Sequence, residues 1–432
     1  MASLVNVEID CIPDNVYAIS GIANHKMARF DIRTGSSSDT QSRSPLNLAL
    51  ILDRSGSMEG DQKLTFAKQA IISALKLLHD DDIIHLVAYD DSVQVIFENA
   101  RAASREVLFP LVERIETGGS TNISGAIETG AELLKKYSCE GMANRMFLLS
   151  DGQANVGLQT APELTKLVSQ FRQLGILTDS FGIGADFDGV IMKGIADAGG
   201  SRFYFLESIR VIESFVSKAL MSVFKVCGSQ TRLVIRGQNG SVVTKIWGHE
   251  NLVDGAQLGD LHVNNVRSVL CEFTTSATHA DPTIEVPSLT YELSFHQPND
   301  LQAAPTVIRK VLHLKFVDDD SLMSQVDPQV KVMHVTQEAA RMDAEIADLV
   351  KNNQVEQALE LVEKQLELLK SVEQFDGERK SIGLLIQIAE KMRGKLKVDN
   401  VDRDLVCQGY HHQSYLKRQA SCEYMEEFGL YD

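Results

Sequence analysis

Alternating apolar and polar residues mark the first part of the chain as β-structure. Residues 5–9 and 28–32 alternate one by one, which is typical of strands with one face on a core and the other in water. Residues 35–44, which are rich in Ser, Thr and Gly, then indicate a linker. We therefore predict N-terminal strands within residues 1–34, followed by a domain boundary.

From residue 46 the pattern changes to apolar strands that alternate with amphipathic helices. Residues 46–52 are almost wholly apolar, as expected for a parallel strand that is covered on both faces. Helices are then predicted over 64–78, 104–115, 123–136, 161–174 and 209–224, and strands over 83–88, 145–149, 176–182 and 202–205. This alternation predicts a doubly wound α/β domain over residues 46–226.

Two regions with other periodicities follow the α/β domain. Residues 228–317 contain short strand patterns separated by turn residues, which predict an antiparallel β-sandwich. The strands of residues 1–34 are expected to belong to the same sandwich, because each set alone offers a face that needs cover. Residues 328–396 show the periodicity of a helical hairpin or bundle, and residues 397–432 are predicted to be a C-terminal tail.

Charge and cysteine usage narrow the class of protein. The formal net charge of −17 opposes binding to nucleic acid or to an anionic membrane surface. No run approaches the roughly 18 apolar residues of a spanning helix, and the first residues alternate instead of forming a signal peptide. The six cysteines are scattered, so we expect reduced structural thiols without zinc. These features favour a soluble, cytoplasmic protein without membrane insertion.

Oxygen-bearing side chains follow two of the apolar strands and precede one helix. Asp53, Ser55 and Ser57 follow the strand of residues 46–52, Thr121 lies in a Gly-rich loop before a helix, and Asp151 follows the strand of residues 145–149. Each piece alone could be a helix cap or a turn. Together they lie where open α/β sheets place their ligands, and they offer the hard oxygens that Mg²⁺, Mn²⁺ or Ca²⁺ prefer.

This set resembles the metal-ion-dependent adhesion site of von Willebrand factor A domains. The family motif, Asp-x-Ser-x-Ser with a distant Thr and a distant Asp, matches Asp53, Ser55, Ser57, Thr121 and Asp151 in order. The resemblance implies that the serines and, in one state, the threonine bind the cation directly, while the aspartates act largely through water. Mg²⁺ is the expected cation, and a protein partner that presents Asp or Glu is the expected ligand.

The regions around the α/β domain are similar to the non-RING part of plant RING ubiquitin ligases and to bacterial proteins with an A domain. This second resemblance is weaker than the first. No RING motif precedes residue 1. We therefore do not carry ligase activity over to this chain.

The sequence favours a binding module over an enzyme, because the three loops hold no His, Cys or Lys to act as a base or nucleophile. His79 and His85 are interpreted as core residues with satisfied hydrogen bonds, and His411 and His412 as part of a surface or interdomain segment. The alternative is a structural or scaffold subunit that uses the helical region, with the metal only stabilising the loops. Asp151→Ala should separate the two hypotheses: on a surface loop it would abolish metal-dependent capture of a partner and leave the fold intact.

Overall fold

The computed structural model describes residues 5–35, 45–139, 141–151, 154–184, 187–206, 212–249, 251–276, 283–298, 303–376, 381–398 and 402–419. The chain divides into two units. The α/β unit comprises Gln41–Val226 and Gln297–Ala303. The β/helical unit comprises Met1–Thr40, Cys227–His296 and Ala304–Asp432.

Strands and helices are numbered here in chain order. The strands are β1 (Val7–Pro13), β2 (Tyr17–Ile19), β3 (Asn24–Thr34), β4 (Leu46–Asp53), β5 (Ile83–Tyr89), β6 (Val93–Arg101), β7 (Ala143–Ser150), β8 (Ile176–Ile183), β9 (Gly200–Leu206), β10 (Val226–Gly237), β11 (Val242–Ile246), β12 (Ala256–His262), β13 (Val266–Thr275), β14 (Glu285–His296) and β15 (Thr306–Val317). The α-helices are α1 (Lys63–Leu77), α2 (Phe109–Glu113), α3 (Ile123–Tyr137), α4 (Ala161–Gln173), α5 (Gly189–Gly199), α6 (Ile212–Val223), α7 (Pro328–Lys351), α8 (Val355–Lys370), α9 (Ser381–Leu396) and α10 (Arg403–Gln419).

The α/β unit contains a six-stranded sheet in the order β6-β5-β4-β7-β8-β9. Every neighbouring pair is parallel except β5 and β6, which are antiparallel. Strand β4 is buried at all eight positions, as its apolar sequence requires. The predicted doubly wound α/β class is confirmed.

The structure departs from the expected elements between residues 93 and 113. Strand β6 was not predicted, because as an edge strand it is buried at Phe97 alone and lacks a clear period of two. The helix expected over 104–115 is instead a 3₁₀ helix, Ala102–Val107, followed by the short α2. Pro110 lies in the first turn of α2, where its missing N–H costs nothing, and it prevents one continuous helix.

The β/helical unit contains two sheets with a shared apolar core. One sheet has the order β1-β3-β13-β11 and the other β12-β10-β14-β15-β2. Strand β3 pairs with β13 in an antiparallel register that runs from Arg33 opposite Val266 to Asn24 opposite Thr275. Phe30 of one sheet and Leu233 of the other lie in the same buried cluster. Strand β12 was not expected from the sequence.

Helices α7 to α10 form the remainder of the β/helical unit. The apolar face of α8, with Val362, Leu366 and Leu369, is buried in a cluster shared with α7 and α9. Residues 403–419, predicted to be part of a tail, form α10. This helix packs on α7 because Tyr410, Ser414 and Lys417 fall on one helical face and are all buried. Among the described residues, no helix is both long and apolar enough to cross a membrane.

The five described cysteines have free thiols: Cys11, Cys139, Cys227, Cys271 and Cys407. Burial raises the pKa of Cys227 and of Cys271 to about 12, so both remain neutral thiols near pH 7. Cys422 lies outside the described residues.

Candidate metal centre

Two loops of the α/β unit are tied together beside the end of β4. The loop after β4 begins at Arg54, and the loop before α3 contains Gly118 and Gly119. The Gly118 N–H donates to the Arg54 carbonyl at 2.7 Å, and the Gly56 N–H donates to the Gly119 carbonyl at 2.9 Å. These two bonds hold the loop that carries Thr121 against the loop that carries the serines.

Three of the predicted site residues form a continuous chain of side-chain oxygens. Ser55 Oγ lies 3.1 Å from Ser57 Oγ, and the Ser57 hydroxyl donates to Asp151 Oδ1 at 2.8 Å. Adjacent oxygens around Mg²⁺, at bond lengths of about 2.1 Å and right angles, are about 3.0 Å apart. The hydrogen-bond spacing of the three residues is compatible with that of neighbouring ligands of a small divalent cation.

Asp53 supports this chain from beneath, with its side chain fully buried. Its Oδ1 accepts from the Ser55 N–H at 2.8 Å, and its Oδ2 accepts from the Ser150 hydroxyl at 2.6 Å. Burial raises the pKa of Asp53 to about 6, and the hydrogen bonds from Ser150 and Ser55 oppose this shift. A buried carboxyl group of this kind gains from a nearby cation, and its bond to Ser55 orients the loop.

Thr121 is joined to the site through its loop. It is 3% exposed, and its backbone is bonded to Asn155: the Thr121 N–H donates to Asn155 Oδ1 at 2.7 Å, and the Asn155 N–H donates to the Thr121 carbonyl at 3.1 Å. Among the described contacts, none links the Thr121 hydroxyl directly to the other predicted residues. The structure thus connects four of them by direct hydrogen bonds and places the fifth on the adjoining loop.

Lys63 belongs to the site, although the sequence analysis did not include it. Its Nζ lies 2.7 Å from Asp151 Oδ2, and its side chain is only 7% exposed. Lys63 is the first residue of α1, on the same buried face as Leu64 and Ala67. The positive charge of a lysine is unfavourable at the N-terminus of a helix, and a buried lysine needs an acidic partner. This combination was the signal in the sequence that could have indicated the partner of Lys63.

The expectation that Asp151 lies on a surface loop is wrong. Its side chain is fully buried and is bonded to both Lys63 and Ser57. Removing the carboxylate would leave the buried Lys63 ammonium without that partner, and breaking a buried ion pair is strongly destabilising. Asp151→Ala would therefore change the stability of the domain as well as the site.

The outer wall of the site contains a second ion pair, Arg54 with Asp90, at 3.1 Å between Nη2 and Oδ2. The Asp90 carboxylate also accepts from the Ser92 N–H at 2.8 Å. The Tyr89 hydroxyl lies 3.4 Å from Asp53 Oδ2 inside the core. These residues fix the loops but had no recognisable spacing in the sequence.

The donor set is one of oxygens. Within the described ranges, no group of three or more His, Cys, Asp and Glu residues could hold a metal ion. His85 is a core residue: its Nε2 lies 2.9 Å from Asn47 Oδ1, its Nδ1 accepts from the Asn99 N–H, and burial lowers its pKa to about 4. Gly152, the residue after Asp151, lies outside the described residues.

Comparison with known proteins places this unit in a family. Residues 47–218 match the sequence profile of the von Willebrand factor type A domain. The protein YfbK of Escherichia coli (strain K12) is 25% identical over 184 residues, which cover 41% of this chain and 32% of that protein. The match therefore spans about a third of the length of this relative.

Two solved structures resemble nearly the whole chain. The von Willebrand factor type A protein from Catenulispora acidiphila matches 94% of this chain and 95% of its own, with a TM-score of 0.75 and 15% identity. The ArnB paralog VWA2 from Sulfolobus acidocaldarius matches 94% of this chain and 98% of its own, with a TM-score of 0.60 and 15% identity. At this identity the likeness concerns the fold.

Proposed function

Because residues 47–218 of the chain form a von Willebrand factor type A domain, we propose that the chain is a protein-binding module that works through a metal-ion-dependent adhesion site. The residues that would hold the cation are Asp53, Ser55, Ser57, Thr121 and Asp151. The observation that carries the proposal is the chain of oxygens from Ser55 through Ser57 to Asp151, at 3.1 and 2.8 Å.

The oxygen ligands suit a hard divalent cation, and Mg²⁺ is the cation we propose, with Mn²⁺ or Ca²⁺ as alternatives. The hydroxyl groups of Ser55, Ser57 and Thr121 are neutral donors, so a cation bound by them keeps most of its positive charge. That charge and an open coordination position are what the cation supplies, and an Asp or Glu carboxylate of a partner protein is the matching ligand.

The groups around the site support binding rather than catalysis. The Lys63 side chain is engaged in an ion pair with Asp151. Burial raises the pKa of Tyr89 well above its usual value, so the phenol remains neutral. The described parts of the three loops contain no His or Cys. We therefore propose that the site recognises its partner without transforming it.

The test removes one hydroxyl that the structure leaves at the surface. Ser57 is exposed and is not part of the core, so Ser57→Ala should remain folded in EDTA, with a modest loss of stability because the buried Asp151 carboxylate loses one hydrogen bond. The Mg²⁺ affinity of Ser57→Ala should fall at least about tenfold, because the cation loses one oxygen ligand. Thermal unfolding with and without Mg²⁺ measures both quantities. Ser169→Ala in the second half of α4 is the matched control and should behave as wild type.

Partner binding is then measured by capture from lysate in Mg²⁺ and in EDTA. The proposal expects proteins that wild type and Ser169→Ala capture only with Mg²⁺ and that Ser57→Ala does not capture. An acidic peptide added in excess should compete for the site. Wild-type protein whose unfolding temperature and captured proteins are the same in Mg²⁺ and EDTA would refute the proposal.

A further inference from the structure

A lysine ammonium lies within the site proposed to hold the cation. Lys63 Nζ is 2.7 Å from Asp151 Oδ2, while the other oxygen of the same carboxylate, Oδ1, accepts from Ser57 at 2.8 Å. The carboxylate of Asp151 is thus shared between a fixed positive charge on one side and the chain of oxygens on the other. Both side chains are buried, so solvent screens this contact weakly.

The backbone at Gly184 leaves space for the end of the Lys63 side chain. Gly184 follows β8 with a φ of +80°, and a Cβ at that position would lie 3.3 Å from Lys63 Cε and 3.4 Å from its Nζ. Glycine leaves room for the end of the lysine side chain and adopts a φ that other residues rarely take. The position of the ammonium is therefore determined by the fold and by its ion pair together.

We propose that Lys63 is a positioning residue that acts through Asp151 as a built-in competitor of the divalent cation. The inference rests on the proposed function, since it concerns the same site. The ammonium balances the charge of Asp151 when the site holds no divalent cation, so the domain remains folded. When a divalent cation binds, the Lys63 ammonium repels it. The ammonium also remains bonded to one oxygen of the Asp151 carboxylate, which is then not available to the cation. The site is consequently one that loads and empties as the concentration of free cation changes.

Two effects of opposite sign follow from this role. Removing the positive charge should lower stability without metal, because Asp151 loses its partner in a buried position. It should also tighten cation binding, because repulsion is removed and Asp151 becomes available to the cation. A purely structural role for Lys63 predicts a different pattern, in which loss of packing weakens both stability and metal binding.

The test compares Lys63→Met, Lys63→Arg and Lys76→Met in the whole 432-residue chain. Lys63→Met keeps the length of the side chain and removes its charge, while Lys63→Arg keeps the charge. Lys76 is an exposed lysine of α1, about 20 Å along the helix from Lys63, so Lys76→Met makes the same change in net charge away from the site. Mn²⁺ affinity is measured from the electron paramagnetic resonance signal of the free ion, and stability in EDTA from thermal unfolding.

Lys63→Met should bind Mn²⁺ about tenfold more tightly than wild type or better, with a lower unfolding temperature in EDTA that saturating Mg²⁺ restores. Lys63→Arg should stay within about threefold and Lys76→Met within about twofold of the wild-type affinity, as expected where the charge is kept or is distant. A Lys63→Met protein that folds only with the metal supports the inference. If it folds under neither condition, Lys63→Gln, which is neutral and can donate to Asp151, takes its place in the comparison.

Unchanged or weaker Mn²⁺ binding by the neutral variant overturns the inference and leaves the proposed function in place. Equal tightening by Lys63→Arg also overturns it, because the charge would then not be the cause. A wild-type protein that binds no Mn²⁺ overturns the proposed function and this inference together.

Discussion

The buried ion pair between α7 and α10 allows a quantitative prediction for Lys417→Met. Lys417 Nζ lies 2.5 Å from Asp343 Oδ2, each side chain is 1% exposed, and Gln365 donates to the other carboxylate oxygen at 2.6 Å. Burial raises the pKa of Asp343, and the charge of Lys417 opposes that shift. Without the ammonium, the carboxylate is left buried and must keep its charge at a cost or take up a proton. We expect a loss of about 3–5 kcal/mol in the free energy of unfolding.

Trp247 provides the assay, because it is the only tryptophan of the chain and lies in the same unit. It is buried against Val330 and Met333 of α7, so its fluorescence follows the packing of that helix. Urea unfolding monitored at this residue should show a midpoint lower by about 1 M or more in Lys417→Met, at an m-value of 1–3 kcal/mol per M.

Two further variants test the reasoning. Arg341 of α7 makes exposed ion pairs with Glu338 and Glu345, so Arg341→Met should cost less than about 1 kcal/mol. The double variant Asp343→Leu, Lys417→Met should recover most of the loss, because it leaves no unpaired charge in the core. If Lys417→Met costs no more than Arg341→Met, the buried pair does not stabilise the packing of α10 in the way we argue.

Two other predictions concern the α/β unit. In Gly182→Ala the new Cβ would lie 2.5 Å from the ring of Phe187. We expect this overpacking to lower the free energy of unfolding by about 1–3 kcal/mol, as measured by thermal unfolding. An unchanged unfolding temperature would contradict this prediction. For His85, burial lowers the pKa from about 6.5 in the unfolded chain to about 4 in the folded state. Between these two pH values the unfolded state binds more protons than the folded state. The free energy of unfolding therefore decreases as the pH falls from 6.5 to 4. This decrease in the free energy of unfolding should approach about 3 kcal/mol. His85→Gln should make the decrease smaller when unfolding is followed by circular dichroism at several pH values. An identical pH dependence of stability in the two proteins would rule out His85 as its cause.

The sequence was most informative where burial leaves little choice of residue. A strand covered on both faces must be apolar at every position, and this revealed β4 and the parallel sheet. Strand β6 was not predicted, because an edge strand tolerates polar residues on both faces. Helix α10 was not predicted, because many of the residues it buries are polar. Sequence patterns place such residues at the surface; the buried ones include His412, Gln413 and Lys417.

The five candidate residues were recognised from two signals, the alternate spacing within one loop and the positions of Thr121 and Asp151 in loops at the same edge of the sheet. Asp53, Ser55 and Ser57 occupy alternate positions of one loop, and the shape of that loop decides their spacing. Lys63 and Asp151 are 88 residues apart, so no local pattern shows that they meet. Their contact depends on how α1 packs beside the end of β7, which is a tertiary property.

The pairing of β3 with β13 has a consequence for the synthesis of the chain. Asn24 and Thr275, which face each other at one end of this pair, are 251 residues apart. At 5–20 residues per second, β3 waits roughly 10–50 s on the ribosome before its neighbour has been made. All six strands of the α/β sheet are made during that interval. The nascent chain can therefore complete the six-stranded sheet while Phe30 and Ile32 still lack their final cover. During this time the edge of β3 that later pairs with β13 is open to pairing with other chains.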